Sequence, residues 1–263
     1  MGTSSNDKLD LMLNKVPEVT LAFWVIKLLS TTVGETGADY LAVHVGAGQA
    51  ITAAVMTALL VAALGWQLAR RAYVPWIYWT TVVLVSVVGT QITDALTDGL
   101  GVSLYVSTAA FAAALAGTFA LWYRNERTLS IHTIVTRRRE LFYWTAILFT
   151  FALGTAAGDL ATEALGLGFQ IGVVVFGALI ALIFAAWRLG ANPVLSFWLV
   201  YILTRPLGAS LGDLLSQARG YGGLGLGTVT TSAVFLAVIA LLVALLTVRM
   251  ANEQKIAANR STS

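Results

Sequence analysis

The stretch that decides the fold is WVIKLLSTTVGETGAD, which runs from Trp24 to Asp39. It contains a tryptophan, a glycine ten residues later at Gly34, and an aspartate five residues after that glycine. The same W-x9-G-x4-D spacing occurs three more times, which indicates four tandem copies of one unit. The shared positions are the tryptophans Trp24, Trp79, Trp144 and Trp198, the glycines Gly34, Gly89, Gly154 and Gly208, and the aspartates Asp39, Asp94, Asp159 and Asp213.

The composition is that of a membrane protein. The chain has 263 residues, of which 58% are hydrophobic and only 11% are charged. Its mean hydropathy is +0.80, and a soluble domain cannot hide that much apolar surface. The chain has no cysteine, which excludes disulfides and thiolate metal sites.

Eight apolar stretches are long enough to cross a bilayer, which takes roughly 20 residues. We therefore predict an all-α integral membrane protein with eight transmembrane helices, built as four parallel two-helix repeats that are pseudo-symmetric about the membrane normal. The predicted helices span about 17–39, 44–68, 75–96, 100–123, 140–163, 167–187, 193–217 and 224–248. The predicted segments are an N-terminal segment at 1–16, repeat 1 at 17–72, repeat 2 at 73–123, a basic loop at 124–139, repeat 3 at 140–190, repeat 4 at 191–249 and a C-terminal tail at 250–263.

This layout resembles a family of bacterial membrane proteins defined by a tandem "repeat of unknown function". In that family each repeat has two transmembrane segments and a tryptophan, usually in four copies. The resemblance covers about residues 16–248 and rests on the motif tryptophans, glycines and aspartates. It implies the eight-helix fold and a bacterial membrane, and it implies no activity.

The basic residues predict the orientation of the chain. Basic residues concentrate between the repeats and near the two ends, whereas the short turns within repeats hold only Arg219. By the positive-inside rule, both termini and the loops between repeats are expected in the cytoplasm. The protein is then a multi-pass protein of the bacterial cytoplasmic (inner) membrane, with the aspartates toward its outer side.

The polar residues of the first helix share one face. At ~100° per residue, Lys27, Thr31, Glu35 and Asp39 fall within a sector of about 120°. A charge facing lipid at mid-membrane costs at least ~2.5–3.5 kcal/mol, so this face is expected to point into the bundle. Four such faces around one axis predict a ring of carboxylates.

Carboxylates and hydroxyls are ligands for hard cations, so the favoured function is a transporter or channel-like protein for a small hard cation, either a divalent metal or a proton-coupled ion. A divalent cation would then be the substrate. Lys27 and Arg205 break the repeat symmetry and are predicted internal counter-charges. The predicted cation-binding or proton-coupling residues are Glu35, Asp39, Asp94, Asp159 and Asp213, and the four aspartates are also the candidate metal ligands.

Other interpretations stay open at this stage. The aspartates could cap helical turns, and the tryptophans could anchor the chain at the membrane interface or form a cage for an organic cation. The protein could be a non-transporting membrane scaffold or regulatory subunit, or an intramembrane enzyme that acts on lipid. Because no catalytic motif is present, an enzyme is not expected. The expected partners are the bilayer and a small cation, with a homo-oligomer left open and no nucleic acid.

Overall fold

A computed structural model describes residues 14–44 and 49–261 of the chain, with the side chain of Asp39 outside the described part. Within this part all regular secondary structure is helical, as the sequence predicts. The eight long helices are α1 Leu21–His44, α2 Gln49–Ala69, α3 Pro75–Asp94, α4 Leu104–Glu126, α5 Arg137–Asp159, α6 Gly168–Arg188, α7 Pro193–Ser216 and α8 Thr228–Ser261.

Local sequence signals explain where several helices begin. A proline occupies the first turn of α3 and of α7, where the missing N–H has no helical partner to lose. Asn192 caps α7, because its side-chain oxygen accepts hydrogen bonds from the backbone N–H groups of Val194 and Leu195 at 3.0 and 3.1 Å. Thr136 caps α5 in the same way by accepting from the N–H of Arg139.

In repeats 2, 3 and 4, glycines with positive φ lie in the turn between the two helices. Gly101, Gly166, Gly168, Gly225 and Gly227 all have φ between 68° and 80°, in the left-handed region that only glycine enters without strain. These residues belong to the G-x-G that follows the motif aspartate. In repeats 2 and 3 a short π-helical turn lies directly between the aspartate and these glycines.

Several predicted boundaries differ from the structure. Helix α1, predicted to end at residue 39, continues to His44, and α8, predicted to end at 248, continues to Ser261 through the predicted 250–263 tail. That tail contains three alanines and one each of methionine, glutamate, glutamine, lysine and arginine, all of which favour helix, and it has no glycine or proline to stop the helix. Helix α5 begins inside the predicted 124–139 loop because Thr136 caps it there.

The first helices of the four repeats form a closed ring. Helix α1 packs against α3, α3 against α5, α5 against α7, and α7 returns to α1. The second helix of each repeat lies outside this ring and packs on the first helix of the next repeat, so that α2 lies on α3, α4 on α5, α6 on α7 and α8 on α1. Each repeat therefore depends on its neighbour for packing.

Burial separates the inner helices from the outer ones. In the most apolar stretch of each helix, 72% of the residues are buried in α3, 61% in α5 and 50% in α7, against 17% in α2, 22% in α4, 11% in α6 and 17% in α8. Among the described helices, these seven are long and apolar enough to cross a membrane, which is compatible with a multi-pass membrane protein. Helix α1 is not one of them, since it carries Lys27, Glu35, Asp39 and several hydroxyl side chains.

Candidate functional site

The motif glycines are the points at which neighbouring inner helices touch. Each glycine packs against the residue that lies three positions before the glycine of the next repeat, and a Cβ at any of them would overlap that residue. Because the same register recurs at all four contacts, the inner helices run parallel around a common axis. The contacts are Gly34 with Ser86, Gly89 with Phe151, Gly154 with Arg205 and Gly208 with Thr31.

Aromatic side chains fill the centre of the four-helix ring at the end where the inner helices begin. The residue before each motif tryptophan is aromatic, and two of these residues, Tyr78 and Tyr143, place their hydroxyl oxygens 2.5 Å apart. This aromatic position recurs in all four repeats of the sequence, but it is not part of the W-x9-G-x4-D motif. The four residues are Phe23, Tyr78, Tyr143 and Phe197.

The tryptophans themselves pack inside the protein. Trp79, Trp144 and Trp198 are buried, and the indole N–H of Trp198 donates a hydrogen bond to the backbone carbonyl of Leu129 at 2.9 Å. The interpretation as interfacial anchors does not hold for these three residues, because they contact other rings of the core rather than the surface. These three tryptophans therefore contribute to the packing of the core.

Lys27 lies one layer farther along the axis and is fully buried. Its Nζ lies 4.2 Å from the centre of the Phe151 ring and 4.4 Å from the centre of the Tyr201 ring. Among the described residues this nitrogen has no hydrogen-bond partner. Among the described residues, Lys27 is therefore not paired with a carboxylate as predicted. Its side-chain nitrogen faces two aromatic rings instead.

Arg205 crosses the axis and reaches all four repeats. Its Nη2 donates hydrogen bonds to Glu35 Oε2 at 2.7 Å, to Thr155 Oγ1 at 2.7 Å and to Thr90 Oγ1, while Nη1 donates to the carbonyl of Thr31 at 3.3 Å. The arginine side chain is fully buried and that of Glu35 is 8% exposed. Here the predicted counter-charge and its carboxylate do form an ion pair.

These groups converge because they hold equivalent positions. Glu35, Thr90 and Thr155 each follow a motif glycine directly, and the fourth such residue is Ala209. Around the axis this layer therefore presents a carboxylate, two hydroxyls and one small side chain, and the guanidinium of Arg205 extends into it. Four residues along a helix advance about 6 Å, which is the expected spacing from this layer to the aspartates.

Three motif aspartates, Asp94, Asp159 and Asp213, lie near one another beyond the ion pair. Asp159 is close enough to Glu35, Asp94 and Asp213 for their carboxyl groups to interact electrostatically, and Glu163 adds a further acid nearby. Within the described contacts, neither Asp94 nor Asp159 makes a side-chain cap to the π-helical turn that follows it. The capping interpretation is therefore unsupported at these two positions.

The proposed metal ring cannot be completed from the described side chains. Within them, no group of three histidine, cysteine, aspartate or glutamate residues is arranged to hold a metal ion. The side chain of Asp39 lies outside the described part, so a ring made of Asp39, Asp94, Asp159 and Asp213 stays a prediction.

A second buried ion pair, which the sequence did not indicate, lies at the opposite end of the bundle. Lys15 Nζ is 2.5 Å from Glu140 Oε2 and 3.2 Å from the carbonyl of Leu68, and Gln67 Nε2 donates to Glu140 Oε1 at 3.0 Å. This cluster fastens the segment before α1 to α2 and α5. Its partners are 125 residues apart in the chain, so no spacing could have revealed it.

The fold and the axis define a class of protein made of four helical hairpins in a ring, with charged and hydroxyl side chains buried along the axis. The chain belongs to the family described as Repeat of Unknown Function (DUF347), whose repeat matches residues 22–73, 77–128, 142–190 and 196–251. This match confirms the resemblance that the tryptophan motif suggested. No curated protein and no solved structure matches the chain.

Proposed function

We propose that the protein is a membrane transporter that moves a small hard cation along the axis of the ring. The observation that carries this proposal is the Arg205–Glu35 pair, which lies buried on the axis with the carboxylates of Asp94, Asp159 and Asp213 beyond it. A buried charge is expensive, and ionisable groups inside a transmembrane bundle mark ion or proton pathways more often than they mark packing. The cation is a divalent metal ion or a proton-coupled monovalent ion.

The order of charges along the axis gives a mechanism. The acidic end attracts cations and raises their local concentration. A cation or proton that reaches Glu35 competes with Arg205 for the same carboxylate, which lies 2.7 Å from the guanidinium. Occupation of Glu35 then releases Arg205 from this partner, and movement of the arginine opens the next part of the axis. Energy comes from an ion gradient.

The membrane setting is part of the proposal. The seven apolar helices support a multi-pass protein, and the arginine-rich loops between repeats favour the cytoplasmic side for both termini. The ring axis then lies along the membrane normal, in the bacterial cytoplasmic membrane. Cysteines introduced at Arg138 and at Gly99 should label from opposite sides of intact cells, and labelling from the same side would exclude this orientation.

A scaffold is the second candidate, because the same arginine network ties all four repeats together. A lipid-acting enzyme has weaker support. Such an enzyme would need a lateral pocket that contains Glu35 and Arg205. A lateral groove of about 620 Å³ lies between α3 and α8, but it is lined by apolar residues such as Trp76 and Ile239 and by neither charged residue.

Flux measurements in proteoliposomes distinguish the transporter from the scaffold. The purified chain is reconstituted, and uptake of Mn²⁺, Mg²⁺, Na⁺, K⁺ and NH₄⁺ is measured with and without a pH gradient. The transporter predicts protein-dependent flux of at least one cation. Absence of flux for every cation, from vesicles that contain folded protein, would favour the scaffold.

A further inference from the structure

The two cationic side chains on the axis have different surroundings. Arg205 is paired with Glu35 at 2.7 Å and donates to two threonine hydroxyls. Lys27, also fully buried, has no hydrogen-bond partner among the described residues, and no described carboxylate lies within ion-pair distance of it. Two aromatic rings approach its Nζ, at 4.2 and 4.4 Å from their centres. The part of the axis around Lys27 is therefore lined by aromatic rings, whereas the part around Glu35 is acidic.

The rings around Lys27 form a cation site. Phe151 and Tyr201 come from different repeats, and their ring centres lie 4.2 and 4.4 Å from the same nitrogen, so two π faces attract one buried ammonium group. Tyr201 occupies the motif position of Lys27 in repeat 4, and Phe151 occupies the motif position of Arg205 in repeat 3. The site therefore arises from positions at which the repeats differ, not from the shared motif.

We propose that the space between Phe151 and Tyr201 is a binding site for an ammonium-type monovalent cation, either the ammonium ion or a small primary amine, and that the side chain of Lys27 occupies it at rest as a tethered ligand. Strongly hydrated divalent ions require oxygen ligands, whereas the Lys27 nitrogen lies over two ring faces. Where transport is concerned, this inference rests on the proposed function and narrows its substrate class. The binding site itself does not depend on transport.

Removal of the tethered ligand allows a direct test. Lys27→Ala deletes the atoms of n-propylammonium, so this amine should bind to the full-length variant and raise its melting temperature in detergent by about 3 °C at roughly tenfold excess over its Kd. The neutral analogue 1-propanol at the same concentration should leave the melting temperature unchanged. Equal stabilisation by both compounds would mean that the site recognises shape and not charge, which would overturn the proposal.

Two matched variants locate the binding. Lys27→Met fills the space with an uncharged side chain and should respond to neither compound. Adding Phe151→Leu to Lys27→Ala removes one ring face and should weaken propylammonium binding by about tenfold. Unchanged affinity in this double variant would place the amine elsewhere and contradict the assignment.

The folding of Lys27→Ala is itself informative. Should the variant not fold in plain buffer, its folded yield is measured after extraction with propylammonium or with 1-propanol. Recovery by the amine alone supports the site, whereas recovery by both or by neither overturns it.

In proteoliposomes, ammonium or methylammonium flux by the unchanged protein supports the substrate class. Flux of divalent cations alone would overturn the inference and leave the proposed function standing, and absence of all flux would overturn transport and leave the binding result unaffected.

Discussion

The glycine contacts between inner helices and the charged layers along the axis follow opposite rules. At the contacts, each motif glycine meets the same position of the next repeat, so the four interfaces obey one pattern. On the axis, Lys27, Glu35 and Arg205 each occur in a single repeat. The pattern shared by all repeats builds the ring, and the positions that differ are those that carry charge into it. The shared positions are explained by the packing of the ring, whereas the common packing pattern does not explain the charged residues.

The energetics of the two regions also differ. A glycine contact lets two helices approach closely and gains dispersion energy at no electrostatic cost. The axis holds an ion pair whose desolvation opposes its mutual attraction, and a buried lysine whose nitrogen lies over two ring faces. Apolar residues of similar size would fill the same space at lower cost. These charges are therefore the residues on which the proposed function rests.

The largest expected effect comes from breaking the ion pair. Arg205→Met leaves Glu35 buried without its described partner and should lower the free energy of unfolding by about 3–5 kcal/mol. Adding Glu35→Leu removes the orphaned charge and should recover most of that loss. A double-mutant cycle in detergent measures both effects. Additive losses would mean that the two side chains do not act as a pair.

A smaller loss is expected at a glycine contact. In Gly154→Ala the new methyl group overlaps Cβ and Cγ of Arg205, and the resulting strain should cost about 1–3 kcal/mol. Gly177→Ala is the matched control, because no described atom outside its own helix lies within 4 Å of the added carbon. The control should be neutral or slightly stabilising through helix propensity. Equal losses in both variants would contradict the packing role of the motif glycine.

Much of this architecture was predictable from the sequence. Periodicity and motif spacing gave four repeats and eight helices, and the shared sector of Lys27, Glu35 and Asp39 predicted a polar face directed inward. The Glu35–Arg205 contact could not be predicted, because it depends on how repeat 4 closes against repeat 1 across 170 residues of chain. The aromatic surroundings of Lys27 depend on the same closure.

The predicted end of α8 and the predicted start of α5 were wrong for local reasons. The sequence offers no stop at the end of α8, and the cap at Thr136 moved the start of α5 into a predicted loop. The buried Lys15–Glu140 pair was missed because a polar segment next to a membrane helix is ordinarily solvated, whereas here it packs against the bundle.

The smallest stability effect is expected in the acidic layer. Asp159→Asn removes one of several neighbouring carboxylates and should leave the free energy of unfolding unchanged or raise it by up to about 0.5 kcal/mol, because like charges repel. A helix cap would instead cost about 0.5–2 kcal/mol when lost. Chemical denaturation distinguishes the two signs, and a clear loss of stability would restore the capping interpretation.

Cation flux per folded molecule in Glu35→Gln proteoliposomes tests the functional role of the axis most directly. The control is Glu253→Gln, which neutralises an exposed glutamate paired with Arg249 near the end of α8. If Glu35 is the group at which the cation competes with Arg205, flux should fall by at least about tenfold in Glu35→Gln and stay unchanged in the control. Equal flux by the two variants and the unchanged protein, at matched amounts of folded chain, would contradict a transport role for the buried ion pair.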